Sequence, residues 1–505
     1  MCGSLSADPA PWWEVSYDID LEYPSLGDYK WDLAEDKLVV RGRGVNRRSF
    51  YSVDLATQDT AVYLDSSVFS YDGDYVPVLK WEFSRDRSLM LIQSQRDPIW
   101  RHSNTGTYYL LDLEQRTISK VGEQNDLLRN VKISPDSRWV SYVRTDNNLY
   151  ALNIRRNKEK KLTRNGSETT LNGHYGWVYE EELSGFDGYR WSPDSKHIAY
   201  VEEDQSEVGR FSLVDELPLY PRVEQVFYPK AGSTNPEIRI AVINVQGGGR
   251  KFLKIDSEED VYHPWFEWYD SERLWILRLG RLQKQWQMVY ADIISNKTMN
   301  GIRESDPDGW VELHRSSQIL KGGLFAHISE RDGYQHIYLE RPNGRFTVPV
   351  TSGQWEVKEI THVDEKNKRI YFTANKRSVL ESHLYSVRFD GTGLKLLTPE
   401  PGVHRVSMSP GGHSFIDRFS SIDQPPTIVY RKNDGTLIRS LGETDLSSIK
   451  IGDISKPSIV RFLAEDKETV LNGIMTLPQD YIKGKKYPLL VYGYGMPGTQ
   501  IVWNS

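Results

Sequence analysis

The sequence predicts an all-β protein built as a β-propeller of roughly seven or eight blades. Three observations carry this. Short strand-like segments recur through most of the chain, as in Lys37-Leu38-Val39-Val40, Leu89-Met90-Leu91-Ile92, Trp139-Val140-Ser141-Tyr142-Val143 and Arg369-Ile370-Tyr371-Phe372. Asp-Gly, Pro-Asp and Gly-Gly turn signals separate them. A turn motif also repeats: Ser84-Arg85-Asp86, Ser134-Pro135-Asp136 and Ser192-Pro193-Asp194 each precede an apolar strand, and Ser409-Pro410-Gly411 is a later echo. The spacing between clear copies is about 50–60 residues, which suits a four-stranded blade with an elaborated loop. Pro fixes φ in such a turn, and Asp satisfies a turn amide with its own carboxylate. A sandwich array is the structural alternative. Gly247-Gly248-Gly249 lacks a strand-turn-helix context and reads as a hairpin tip rather than a phosphate loop.

Composition narrows the class. The chain has 505 residues, 26% of them charged and 38% hydrophobic, with 15 Trp and 29 Tyr. This is a folded protein whose aromatic surplus suits many short packed strands. The net charge of −7 is mixed along the chain, and no basic stripe offers a nucleic-acid groove. Cys2 is the single cysteine, which excludes an intrachain disulfide. Met1-Cys2-Gly3-Ser4 fits the start of a lipid-anchored chain acylated at Cys2, and an incidental exposed cysteine fits equally well. The expected location is periplasmic or secreted, with the cytoplasm as the alternative. No metal or cofactor site is expected, because the histidines lack short-range ligand spacing.

The composition shifts after about residue 455. Ile459-Val460-Arg461-Phe462 and Leu471-Asn472-Gly473-Ile474 read as an edge hairpin. Lys485 to Gly495 reads as a continuous apolar strand ending in Gly, like a buried strand of an α/β-hydrolase sheet. The expected division is residues 1–30 belonging with a hydrolase domain, with a short amphipathic stretch near 8–30, then 31–455 as the propeller. Residues 456–505 are then the first strands of a truncated α/β-hydrolase domain.

The most specific motif is Trp177-Val178-Tyr179-Glu180-Glu181-Glu182. Adjacent acids usually form a solvated turn. In a partly closed cavity they create a negative potential suited to a cation such as an α-ammonium. Together with Trp100-Arg101-His102-Ser103, Tyr228-Pro229-Lys230-Ala231-Gly232, Gly353-Gln354-Trp355-Glu356-Val357 and Lys485-Lys486-Tyr487-Pro488, this run resembles the dipeptidyl peptidase IV family of the prolyl oligopeptidase superfamily. The likeness covers residues 30 to 500 or so, in the family's order.

The resemblance implies an eight-bladed propeller joined to an α/β-hydrolase domain of serine type, which removes X-Pro or X-Ala dipeptides from peptide N-termini. Glu181 and Glu182 match the family's acids that bind the substrate ammonium, and Arg101 its arginine on the carbonyl of the second substrate residue. Arg315 falls where the family has a second arginine, although His314 replaces the preceding aromatic. Tyr494 matches the oxyanion-stabilising tyrosine, with Tyr492 a neighbouring competitor. Pairing of two full-length copies is also implied. The partner class is peptides with a free N-terminus. No Gly-x-Ser-x-Gly elbow occurs, so the nucleophile Ser and its Asp and His are expected to be absent from this chain. Two further readings remain: a non-catalytic propeller acting as a peptide-binding or interaction module, and another oligopeptidase of the superfamily.

Overall fold

The computed structural model describes residues 26–32, 37–42, 48–123, 126–255, 260–314, 316–341, 344, 346–444, 455–495 and 498–505. Cys2, Arg315 and nearly all of the expected segment 1–30 lie outside these. The described residues form eight consecutive antiparallel sheets of four strands, one of them with a fifth. The first is Tyr29–Trp31, Lys37–Arg41, Phe50–Asp54 and Thr60–Leu64; the last is Val403–Met408, Ser414–Ser421, Gln424–Lys432 and Leu437–Glu443. We number them blades 1 to 8; blade 2 takes its strands from residues 80–120, blade 3 from 129–161, blade 5 from 261–305, blade 6 from 318–349 and blade 7 from 357–396. Blade 4 has its first strand at Tyr189–Trp191 and its second at His197–Asp204, and takes Thr170–Asn172 as its fifth.

The repeated turn explains itself chemically. Ser84 Oγ donates to Asp86 Oδ1 at 2.7 Å and accepts the amide of Leu89 at 2.9 Å, so one hydroxyl closes the reversal from both sides. Ser134 does the same with Asp136 and Trp139, and Ser192 with Asp194 and His197. The residue after each Asp turns left-handed: Arg87, Ser137 and Ser195 have φ of 60°, 57° and 60°. At the fourth copy Gly412 occupies that place at φ 67°, where a glycine has no steric penalty. The turns also interlock around the ring, since Ser137 Oγ donates to Asp86 and Ser195 Oγ accepts the amide of Asp136.

The core lies between blades. Central strands such as Leu89–Gln93 and Trp139–Val143 are buried along both faces, so they read as apolar runs rather than alternations. Blades 1 and 2 share Phe50, Phe69, Trp81 and Met90; blades 4 and 5 share Tyr179, Val201, Phe266 and Trp275. Among the described residues the ring closes by side chains, without a shared strand. Leu38 and Leu55 of blade 1 pack on Ile416, Ile428 and Tyr430 of blade 8, and the Trp31 indole donates to Ser407 Oγ at 2.8 Å.

Outside the blades, Arg210–Asp215 pairs with Arg222–Phe227 in an exposed arm. Gly247-Gly248-Gly249 does form a hairpin tip, between Glu237–Asn244 and Lys251–Phe252. After blade 8, Ser458–Leu463 pairs with Val470–Met475 as the expected hairpin. The expected apolar strand over 485–495 is not formed. Leu489, Leu490, Val491 and Tyr492 are exposed and pair with no described strand. A central strand takes its regularity from neighbours on both edges, and here the run meets none.

Candidate functional site

The Trp177–Leu183 run is a short helix, α1, inserted between Thr170–Asn172 and Tyr189–Trp191 of blade 4. The sequence gives little sign of it, because Gly176 at its start has no capping side chain. Aromatic contacts hold it instead. Tyr175 and Tyr179 stack at 4.9 Å, and Tyr175 Oη donates to the carbonyl of His263 at 3.0 Å. The His263 amide donates to Tyr179 Oη at 3.2 Å, which locks α1 to the first strand of blade 5. Trp177 packs on Tyr228 at 4.3 Å, so the Tyr-Pro-Lys-Ala-Gly segment of the sequence motif buttresses α1.

Successive helical residues lie about 100° apart, so three consecutive acids cannot share a direction. Glu180 points inward and is 1% exposed. Glu181 turns toward a hairpin inserted in blade 2, Asp97–Pro98 with Asn104–Thr105, whose tip carries Arg101. Arg101 Nε donates to Glu181 Oε1 and Oε2 at 3.0 and 3.2 Å, and Nη2 also binds Oε1. These hydrogen bonds hold the Glu181 carboxyl below its usual range. Glu182 is exposed and borders a cavity of about 450 Å³ with Trp177, Tyr228, Lys230, Tyr262 and Arg281. Among the described residues it has no ion pair. The structure thus joins Arg101 to Glu181 and leaves the Glu182 carboxylate open.

Arg101 also lines a cavity of about 580 Å³ that runs along the first strands of blades 2 and 3, past Lys80, Glu82, Asn130 and Lys132. An ionic chain crosses from blade to blade at its wall. Lys132 binds Asp187, Arg190 reaches Asp187 at 2.9 Å, and Arg190 Nε meets Glu267 at 3.3 Å. Against burial, Lys132 and Arg190 hold the Asp187 carboxyl below its usual range. Burial pushes the Lys132 ammonium down to about 8.

Sequence reasoning missed what lies under α1. The Glu203 carboxylate is fully buried, and its Oε2 accepts the amide of Gly176 at 2.8 Å, capping α1 from a neighbouring strand. Arg129 attracts both Glu180 and Glu203. Its Nη1 is 2.9 Å from His174 Nδ1, whose ring is held well below its usual range by burial and by that guanidinium. Burial pushes the Glu203 carboxyl up to about 7. The folded chain therefore keeps a proton on Glu203 to about pH 7, whereas the unfolded chain releases it near 4.5. Between these values the folded state binds more protons, so this contribution to stability is complete at lower pH and is lost as the pH rises through that window. The full effect is on the order of 3 kcal/mol, at about 1.4 kcal/mol per pH unit. Glu203→Gln keeps an acceptor for Gly176 and removes the titration. Its urea-denaturation stability is expected to fall less than that of the wild type between pH 5 and pH 8; parallel curves would refute the assignment.

The other expected residues fall elsewhere. Tyr494 lies on the exposed 485–495 run and is not among the residues lining either cavity. Arg315 is outside the described residues. Its neighbour His314 is half-buried, with its ring pushed down chiefly by desolvation, and borders a small cavity of about 70 Å³ with Trp265, Trp286, Phe325 and His327.

Fold and site together define an eight-bladed propeller that seats an acid-bearing helix beside an arginine hairpin. A family model for the dipeptidyl peptidase IV N-terminal region matches residues 84–426, and the chain belongs to that family. It is 30% identical over 427 residues to dipeptidyl peptidase 4 of Arthroderma otae, covering 80% of this chain and 54% of that protein. It is 29% identical over 451 residues to dipeptidyl peptidase 4 of Trichophyton rubrum, covering 84% and 57%. The chain thus spans about half the length of the curated relatives it matches. The crystal structure of Porphyromonas gingivalis dipeptidyl peptidase 4 superposes with a TM-score of 0.89 at 22% identity, over 99% of this chain and 71% of that one, a likeness of fold.

Proposed function

We propose that this propeller is the substrate-gripping part of a serine-type dipeptidyl peptidase, working with a hydrolase domain such as its longer relatives have room for. The carrying observation is the asymmetric acid pair: Glu181 bound by Arg101, and Glu182 open beside a cavity. An α-ammonium placed at Glu182 gains a charge-assisted hydrogen bond. Arg101 keeps guanidinium donors for a backbone carbonyl while Glu181 holds its orientation. A fixed distance from amine site to nucleophile allows only a short N-terminal piece to precede the cut, which makes the reaction an exopeptidase step. The nucleophile attacks the carbonyl of the second residue, the peptide bond that follows it breaks and the rest of the chain leaves as a free amine, and water then hydrolyses the dipeptidyl ester to release the dipeptide. A Pro or Ala preference at that second residue belongs to this proposal through the family likeness.

The test uses a full-length enzyme carrying this propeller. Dipeptide release from a Gly-Pro-anilide is expected, and an N-acetyl-Gly-Pro-anilide is expected to react at least a hundredfold more slowly. Equal rates would sink the amine-clamp reading. No hydrolysis of either, with dipeptide binding retained, would favour the non-catalytic binding module.

A further inference from the structure

The first acid of the run does something that neither amine binding nor catalysis requires of it. Glu180 Oε1 accepts two backbone amides, those of His102 and Ser103, each at 2.7 Å. These amides directly follow Arg101 at the hairpin tip of blade 2. Residues 180 and 181 of α1 therefore meet residues 101 to 103 in a two-pronged match: Glu181 takes the guanidinium, and Glu180 takes the backbone that carries it. We propose that Glu180 is a positioning residue, pinning the Arg101 hairpin to α1 so that one carboxylate is spent on Arg101 and the next stays free for the substrate amine. The substrate half of this proposal rests on the function proposed above; the anchoring half does not.

Three observations support it. The side chain of Arg101 is 67% exposed and that of Glu181 25%, so solvent screens the pair and it restrains the loop less than a fully buried link does. A buried carboxylate that accepts two amides is a far stiffer link, because both donors lose their partner together if it fails. The hairpin has little stiffness of its own. Its ladder is two residue pairs long, and Pro98 in it has no amide to donate. The His102 ring also stacks on Phe186 at 5.5 Å, on the loop that leaves α1, while Gln93 Nε2 ties the hairpin's base to blade 2 through Asn104 Oδ1 at 2.6 Å and the Ile99 amide donates to the Ser103 carbonyl at 3.0 Å. The helix side, by contrast, is fastened at Tyr175, Gly176 and Tyr179. The hairpin tip is thus the part that Glu180 restrains.

The experiment compares Glu180→Ala with Glu180→Gln, which keeps one acceptor oxygen. Hydrogen exchange on this chain reads the anchoring. In Glu180→Ala the amides of His102 and Ser103 are expected to exchange at least tenfold faster, while Leu110 and Leu111 in the blade keep their protection. Glu180→Gln should restore part of the difference. In the full-length enzyme, KM for Gly-Pro-anilide is expected to rise at least fivefold in Glu180→Ala, with kcat changing less. Unchanged exchange at His102 and Ser103 overturns the proposal, and so does equal loss across the whole of blade 2, which would mark a general folding role. Local release with an unchanged KM overturns the positioning role. If the wild type itself fails to distinguish free from acetylated amines, the amine-site reading falls while the exchange result still decides the anchoring.

Discussion

Replacing Glu182 by Gln, in a full-length enzyme carrying this propeller, is expected to lower kcat/KM for Gly-Pro-anilide at least tenfold. Tenfold corresponds to about 1.4 kcal/mol, well within the range of a charge-assisted hydrogen bond to an ammonium. The charges at the site make the argument. Arg101 offsets Glu181, to which it is hydrogen-bonded through two nitrogens. Glu182 supplies the remaining negative charge, and it has no ion pair among the described residues. Glutamine keeps the size and an acceptor oxygen but removes that charge, leaving an ammonium to meet Arg101 with nothing in surplus to balance it. The loss should be confined to free amines. The acetylated substrate never used the site, so its rate should hold and the preference between the two substrates should collapse. If both rates fall by the same factor, Glu182 acts through the fold; if neither falls, the amine is held elsewhere.

Most of the fold was legible because its turns are local. The Ser-x-Asp hydroxyl and carboxylate close a reversal within six residues, as Ser84, Asp86 and Leu89 do, so the motif carries its own geometry. Blades without the motif reverse by other means. Blade 5 uses Asp270, which accepts the amide of Glu272 at 2.9 Å, and blade 7 uses Asp364, which accepts that of Asn367 at 2.9 Å before Lys368 turns left-handed at φ 51°. These do not repeat as a string, so counting blades from the motif alone stops at four. The site was less legible. The helix α1 is seven residues long and owes its shape to His263 and Glu203, partners far along the chain. No local propensity announces such a helix. Arg101 and Glu181 are 80 residues apart, and only the family resemblance joined them in advance. Glu180 escaped because a glutamate beside two others reads as solvated, and its burial depends on two backbone amides of another blade. The run at 485–495 erred in the opposite direction. Its apolar pattern promised a buried strand, but pattern alone forms no ladder.

Asp417→Ala is expected to destabilise the chain by about 3–5 kcal/mol, the range for removing one partner of a buried ion pair. Asp417 is fully buried in the second strand of blade 8. Its oxygens take His404 Nδ1 at 2.9 and 3.0 Å and Arg431 Nε at 3.4 Å. His404 Nε2 donates onward to the Glu400 carbonyl at 2.9 Å, and Arg431 Nη2 reaches Glu400 Oε1 at 2.6 Å. Truncation leaves the buried Arg431 guanidinium with one carboxylate in place of two, and deprives His404 of the acceptor that orients its ring. The position magnifies the effect. Strand alternation sends Phe415 toward Tyr371 and Leu384 of blade 7, and Ile416 toward Leu38 of blade 1. Asp417 therefore braces the strand that seals the ring, where side-chain packing is the closure. Loosening blade 8 should expose the joint between blades 1 and 8 first, so limited proteolysis is expected to cut that joint faster in Asp417→Ala than in the wild type. Asp417→Asn, which keeps an acceptor for His404, should lose less. Urea denaturation of the three proteins orders them, and an Asp417→Ala variant within about 1 kcal/mol of the wild type would show that the network orients side chains without sustaining the ring.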